Sequence, residues 1–182
     1  MKTFRIAITG SSGLAEAVIR LLSCKKVNGC SCEIKSIRIG ENVEFDEFDC
    51  FINLAHLNFE QVNIFFAFFE KWRTNGSKYI INISSRAAQP NISKGYLYAA
   101  QKAALNHLAT NVIYNSDKEC RITTINLGLI EHDLPSLKYE EIADIVEMLL
   151  TSPSHIEIPE ITVQHKMNYQ LVQRQKAELL KK

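Results

Sequence analysis

The sequence predicts a single doubly wound α/β domain, with helices on both faces of a mainly parallel sheet of about six strands. Two observations carry this. A short apolar run, Phe4 to Thr9 (FRIAIT), passes through a glycine turn into a helical pattern, and strand-like and helix-like stretches then alternate to the end of the chain. The 182 residues are enough for one domain with a substantial core.

The first strand is followed by Gly10-Ser11-Ser12-Gly13-Leu14-Ala15 and by a helix patterned from Ala17-Val18 to Leu21-Leu22. Strand, glycine turn and helix together are the context of a dinucleotide-binding turn. Glycines let the backbone approach a pyrophosphate, which then meets free N–H groups and the positive end of the helix dipole. Glu33 to Ile39 (EIKSIRI) alternates around Ile34, Ile37 and Ile39 as a second strand. Glu41 to Asp49 is polar loop, with Asp46 and Asp49 as loop or capping acids. Cys50 to Leu54 (CFINL) is the next strand, and Asn58 to Trp72 (NFEQVNIFFAFFEKW) is a helix buried on more than one side. Its Phe65, Phe66, Phe68 and Phe69 serve a core or a subunit interface. Gly76 to Ser85 is a strand, a polar loop with Pro90 and Gly95 follows, and Tyr98 to Asn115 is an Ala-rich helix. Arg121 to Leu127, the helix Tyr139 to Leu150 and a last strand, Ile156 to Val163, complete the domain, Pro159 placing that strand at an edge or a bulge. Met167 to Lys182 is a charged helical tail.

A formal charge of +1 and 46% hydrophobic residues select for neither nucleic acid nor an anionic membrane, so neither is expected as a partner. No stretch approaches the length of apolar sequence that spans a bilayer, and the N-terminal run is too short for a secretory signal. The expected address is cytoplasmic, which leaves the sequons at Asn82 and Asn91 without a role. The five cysteines, at 24, 30, 32, 50 and 120, form no CxxC pair and have no His near them in sequence. Reduced, mostly structural thiols are expected, and no metal site.

Chemistry concentrates between Ser84-Ser85 and Lys102. Tyr98 and Lys102 lie one helical turn apart, on one face. A phenol titrates near pH 10, too high for proton transfer at neutral pH, and an ammonium beside it favours the phenolate. Ser85, 13 positions before Tyr98, supplies a neutral donor for the same reacting oxygen. His132, in the loop after the sixth strand, reads as a bystander.

These segments, taken in order, resemble the short-chain dehydrogenase/reductase family, in which a Ser after the fifth strand precedes a Tyr-x-x-x-Lys by about this spacing. The resemblance implies an NAD(P)-binding, Rossmann-type domain and an oxidoreductase that interconverts a carbonyl and an alcohol. Tyr98 would be the general acid, Ser85 would hold the carbonyl oxygen, and Lys102 would lower the Tyr98 pKa and bind the nicotinamide ribose. Asn58, in a register resembling the family's N-x-x-x-V, would complete the relay, with Asn63 in reserve. Gly10, Ser11, Ser12, Gly13 and Leu14 would hold the pyrophosphate; here Ala15 falls where the family has its third glycine, and a shifted alignment would put Glu16 there. Asn53 and Ala55 belong to a turn resembling NNAG, with His56 in the place of its glycine. Gly128 and Ile130 would line the nicotinamide. Arg38 tips the expected cofactor slightly towards NADP, against Glu41 for NAD.

The chain also departs from the family by omission. The stretch 41–49 leaves no room for the elements that normally precede the fourth strand, which predicts a lost edge strand. Only Pro135 to Lys138 stand where a substrate lid is usual, which predicts an open site. The expected partners are a small carbonyl or alcohol substrate and further copies of the chain, as a homodimer or homotetramer. The alternative is a catalytically weak or inactive relative that senses cofactor or acts as a scaffold. The length of the chain argues against an epimerase or dehydratase of the extended branch.

Overall fold

The computed structural model describes residues 3–89 and 95–181. A seven-stranded sheet runs through them in the order β2-β3-β1-β4-β5-β6-β7. Its strands are β1 (Thr3–Thr9), β2 (Lys26–Val27), β3 (Cys30–Ile37), β4 (Cys50–Asn53), β5 (Tyr79–Ser85), β6 (Arg121–Leu127) and β7 (Glu160–Val163). All neighbours pair parallel except β2 with β3. The helices are α1 (Leu14–Ser23), α2 (Glu60–Trp72), α3 (Tyr96–Asn115), α4 (Tyr139–Thr151) and α5 (Tyr169–Lys181).

The six parallel strands match the expectation, and β2 is an addition to it. Asn28 and Gly29 take φ of 51° and 78°, the left-handed pair that closes a two-residue hairpin between β2 and β3. An Asn-Gly pair between strand residues is the signal for this turn, and it was legible in the sequence. The abbreviated stretch behaves as expected: residues 41–49 hold no helix longer than the single 3-10 turn Phe45–Glu47. The edge beyond β3 is therefore covered by the two residues of β2. At the other edge, β7 begins directly after Pro159, whose carbonyl accepts from Thr124 N–H while its ring has no hydrogen to offer the ladder.

Strand alternation divides the core in two. Ile6, Ile8, Cys50, Ile52, Ile81, Ile83 and Ile125 face α1 and α4. The intervening Ala7, Phe51, Ile80 and Ile122 face α2 and α3. On that second face Phe51 of β4 stacks on Phe68 of α2, with centroids 3.7 Å apart and planes 7° from parallel, and Trp72 meets Phe68 edge-on at 4.8 Å. Trp72 also donates from Nε1 to the Phe45 carbonyl at 3.2 Å, which ties the shortened connection down onto α2. Lys78 and Phe48 close the bottom of this face through a hydrogen bond from Nζ to the Phe48 carbonyl.

Phe68→Ala is expected to lower the unfolding free energy by about 3–5 kcal/mol, read by chemical denaturation. Phe66→Ala on the same helix removes a ring that is 45% exposed and should change stability far less.

Candidate active site

Parallel pairing brings the carboxyl ends of β1, β4, β5 and β6 to one edge of the sheet. The chain reverses direction there between β3 and β4, on either side of β1, and this is where α/β sheets bind ligands.

The glycine turn lies at the end of β1. Gly10 and Gly13 hold φ of 96° and 57°, conformations that side chains other than glycine rarely adopt. Ala15 N–H folds back to the Ser12 carbonyl at 3.2 Å. The N–H groups of Ser12, Gly13 and Leu14 make no hydrogen bond among the described residues, so they remain available at the start of α1. Ala15 is wholly buried, and a Cβ on Gly10 would lie 3.5 Å from its methyl. The third-glycine place is therefore a packing position that tolerates alanine, and Glu16 points to solvent. Leu14 is likewise a core side chain whose contribution to a ligand would come from its backbone. The approach to Gly13 is narrowed from outside: a Cβ there would meet the Tyr139 hydroxyl at 3.2 Å. Arg38, exposed just beyond β3, has no ion pair or side-chain hydrogen bond among the described residues; its backbone N–H bonds Glu41 at 2.9 Å.

The turn after β4 is fixed to β1 by Thr9. Its buried hydroxyl accepts from Leu54 N–H at 2.8 Å and Ala55 N–H at 2.9 Å, setting Ala55 beside Gly10. Asn53 turns away from the glycine loop. Its side chain is wholly buried, donating to the Gln61 carbonyl and to Asn82 Oδ1, each at 2.9 Å. The expected cofactor contact from that side chain is corrected accordingly, because strand alternation sends it to the α2 face along with Phe51.

The residues expected to form the relay stand on β5 and α3. Tyr98 is 38% exposed, whereas Lys102, one turn later, is only 3% exposed. Lys102 Nζ lies 5.7 Å from the Tyr98 ring centroid and donates to Gln61 Oε1 at 2.7 Å and to the Ile83 carbonyl at 2.9 Å. Burial lowers its pKa to about 8, because removing the ammonium from water disfavours the charged form. Ser85 ends β5 half-buried and accepts from Ala87 N–H at 3.1 Å, leaving its own proton to donate. The turn it caps packs on α3. The loop carrying Pro90 and the sequon at Asn91 lies outside the described residues.

Asn58 does not complete this relay. It sits exposed with φ 49° in the turn before α2, neither bonded to Lys102 nor capping the helix, and Asn63 is exposed as well. On α2 it is Gln61, through Oε1, that accepts from Lys102 Nζ. Sequence reading passed over it, although it lies on the buried stripe formed with Phe65, Phe68 and Trp72, and a polar residue on an apolar stripe is the signal that marks it. His56 was missed too: its Nε2 bonds Gln101 Oε1 at 2.9 Å and its ring meets Tyr98 edge-on, with centroids 4.9 Å apart. Burial, with the nearby Lys102 charge, lowers the His56 pKa, while the Gln101 contact opposes this.

After β6, Gly128 is required by packing, since a Cβ would come within 2.9 Å of Gln164 Cβ. Ile130 pairs with Leu137 in an isolated bridge that closes the loop on itself. His132 is used locally, its Nδ1 accepting from Leu134 N–H at 3.1 Å. No group of His, Cys, Asp or Glu among the described residues is arranged to hold a metal ion.

Neither a protein-family model nor any curated protein matches the sequence. Solved structures do match. A serine dehydrogenase complexed with NADP+ superposes with a TM-score of 0.72 at 16% identity, over 91% of this chain and 97% of that one. An alcohol dehydrogenase from the archaeon Thermococcus sibiricus, complexed with 5-hydroxy-NADP, gives 0.67 at 17% identity over 92% and 100%. A metagenomic short-chain oxidoreductase in complex with NADP gives 0.63 at 18% identity over 91% and 98%. With the strand order, the glycine turn and the placement of Tyr98 and Lys102, these likenesses show that the chain has the fold of the short-chain dehydrogenases/reductases.

Proposed function

We propose that the protein is an NAD(P)-dependent oxidoreductase that interconverts a carbonyl and an alcohol. The observation that carries this is the Lys102 ammonium, buried beside the Tyr98 ring at the carboxyl edge of the sheet with no carboxylate bonded to it. A buried cation beside a phenol is the arrangement that general acid–base transfer through Tyr98 requires. In reduction, Tyr98 gives its proton to the carbonyl oxygen and the Ser85 hydroxyl donates to the same oxygen. Lys102 keeps one N–H beyond those bonded to Gln61 and Ile83, and this is the donor for a ribose hydroxyl.

The chain fits a dinucleotide. Ser12, Gly13 and Leu14 offer free backbone donors at a helix start, Ala55 approaches from the Thr9-bound turn, and Gly128 and Ile130 stand in the loop after β6, where they would line the nicotinamide. The bound nicotinamide supplies hydride, for which proteins have no donor of their own. Exposed Arg38 beyond β3 favours NADP over NAD by offering a cation to a ribose 2′-phosphate. Exposed Phe66 on α2 and Tyr114 on α3 support association between copies through these two helices. With only Pro135 to Lys138 standing where a lid would be, the Tyr98 side is open to a small substrate.

One observation favours a second reading, a weak or inactive cofactor sensor: the Tyr139 phenol crowds Gly13. Calorimetric titration with NADPH, NADH, NADP and NAD separates the two. Micromolar binding of NADPH, abolished in Gly13→Asp, is expected; failure of all four to bind at millimolar concentration rejects the oxidoreductase. On carbonyl substrates found by screening, Tyr98→Phe is expected to lower kcat by about 10²- to 10⁴-fold.

The lowered Lys102 pKa also sets a pH dependence. Between its folded value of about 8 and the ordinary value near 10.4, the unfolded chain binds more protons than the folded one, so stability rises with pH across that window. Unfolding free energies of the native protein and Lys102→Met, measured from pH 8 to 10.5, should diverge in favour of the native protein by about 3 kcal/mol. Turnover that needs the ammonium should decline above about pH 8.

A further inference from the structure

We infer that Gln61 is the positioning residue for the Lys102 ammonium, presenting a neutral amide oxygen directly to Nζ. The role in catalysis rests on the function proposed above; the geometry stands without it.

The Gln61 amide cannot turn over. Both Nε2 hydrogens are taken, by the Asn53 carbonyl at 3.0 Å and the Ile83 carbonyl at 2.9 Å. Reversing the group would set its oxygen against those two carbonyls and its NH₂ against an ammonium. The residue is 1% exposed, and its own carbonyl accepts from Asn53 Nδ2, so backbone and side chain are both held. Oε1 is thus fixed 2.7 Å from Nζ, and the Ile83 carbonyl, shared by Gln61 and Lys102, fixes the second direction at 2.9 Å. Two of the three ammonium hydrogens are spoken for, and the third is aimed by exclusion.

The choice of an amide over a carboxylate has a consequence. The titratable groups facing Lys102 are Tyr98, from its own helix, and His56, from the turn after β4. β5 contributes the Ile83 carbonyl and α2 the Gln61 amide, neither of them charged. The two acceptors bonded to Nζ are neutral and replace the lost water only in part, so burial holds the Lys102 pKa down at about 8. A carboxylate in the same place would lock the proton on. A direct amide contact also differs from the relay that the family resemblance implies, because Gln61 of α2, and not Asn58, meets Lys102.

The test reads Lys102 itself and needs neither substrate nor cofactor. In protein labelled with ¹⁵N-lysine, the Nζ resonance absent from Lys102→Met is followed with pH. The native midpoint is expected near 8. Gln61→Glu should raise it by about one unit or more, and Gln61→Met, which removes the acceptor, should lower it. If Gln61→Glu leaves the midpoint where it was, Gln61 is packing only and the inference is overturned. A purely structural role would lower the melting temperature of both variants without moving the midpoints in opposite directions. If Gln61→Met does not fold, Gln61→Asn, one methylene shorter and so drawn back from Nζ, replaces it and should lower the midpoint. A protein that binds no dinucleotide but shows these shifts would refute the proposed function and keep the assignment of Gln61.

Discussion

One buried ammonium organises the functional edge of this molecule. Lys102 on α3 is out of water, and a cation there requires acceptors at fixed positions. It finds them on β5, through the Ile83 carbonyl, and on α2, through Gln61. Gln61 in turn ties back to β4 through Asn53, and Asn53 to β5 through Asn82. A single network therefore links two strands and two helices, and the phenol of Tyr98 inherits its position from it. The parallel pairing of β4 with β5, which sets Asn53 opposite Asn82, is what lets these groups meet.

A second polar chain runs beside the first. Ser84 donates to Asn106 Oδ1 at 2.5 Å, Asn106 to Asn126 Oδ1 at 2.7 Å, and Asn126 to Glu160 at 2.6 Å. It crosses from β5 through α3 to β6 and β7, so the strand that ends in Ser85 is held to the helix that begins before Tyr98 by groups that exclude apolar substitutes. A buried row of amides and hydroxyls is costly unless satisfied, and its presence restricts how β5, β6 and α3 can slide past one another.

The abbreviations leave this machinery intact because they fall elsewhere. The lost elements between β3 and β4 affect the outer edge, where β2 and the Phe45–Glu47 turn, anchored by Trp72, take over the cover. The shortened connection after β6 affects the open side of Tyr98. Neither deletion touches β4, β5, α2 or α3, which carry the ammonium. The network around the buried ammonium thus lies in the middle of the sheet, and the shortened stretches lie at its edges.

Apolar periodicity, the glycine turn and the Ser85, Tyr98 and Lys102 spacing determined the parallel sheet, the helices on both faces and which side chains stand at the carboxyl edge of β5 and on the first turns of α3, because these are properties of short stretches. The Asn28-Gly29 hairpin was equally local and was passed over. Residue partnership was another matter. Asn58 matched a spacing but lies in a left-handed turn outside the helix, while Gln61, three positions on, reaches Lys102. Asn53 sat in a turn motif but faces α2, and His56 found Gln101 across 45 positions of sequence and meets Tyr98 on the same helix. Spacing along one element constrains which face a side chain takes. Which atom it meets is decided by the register of β4 against β5 and by the seating of α2 and α3 on the sheet, and those exist only once the chain has folded.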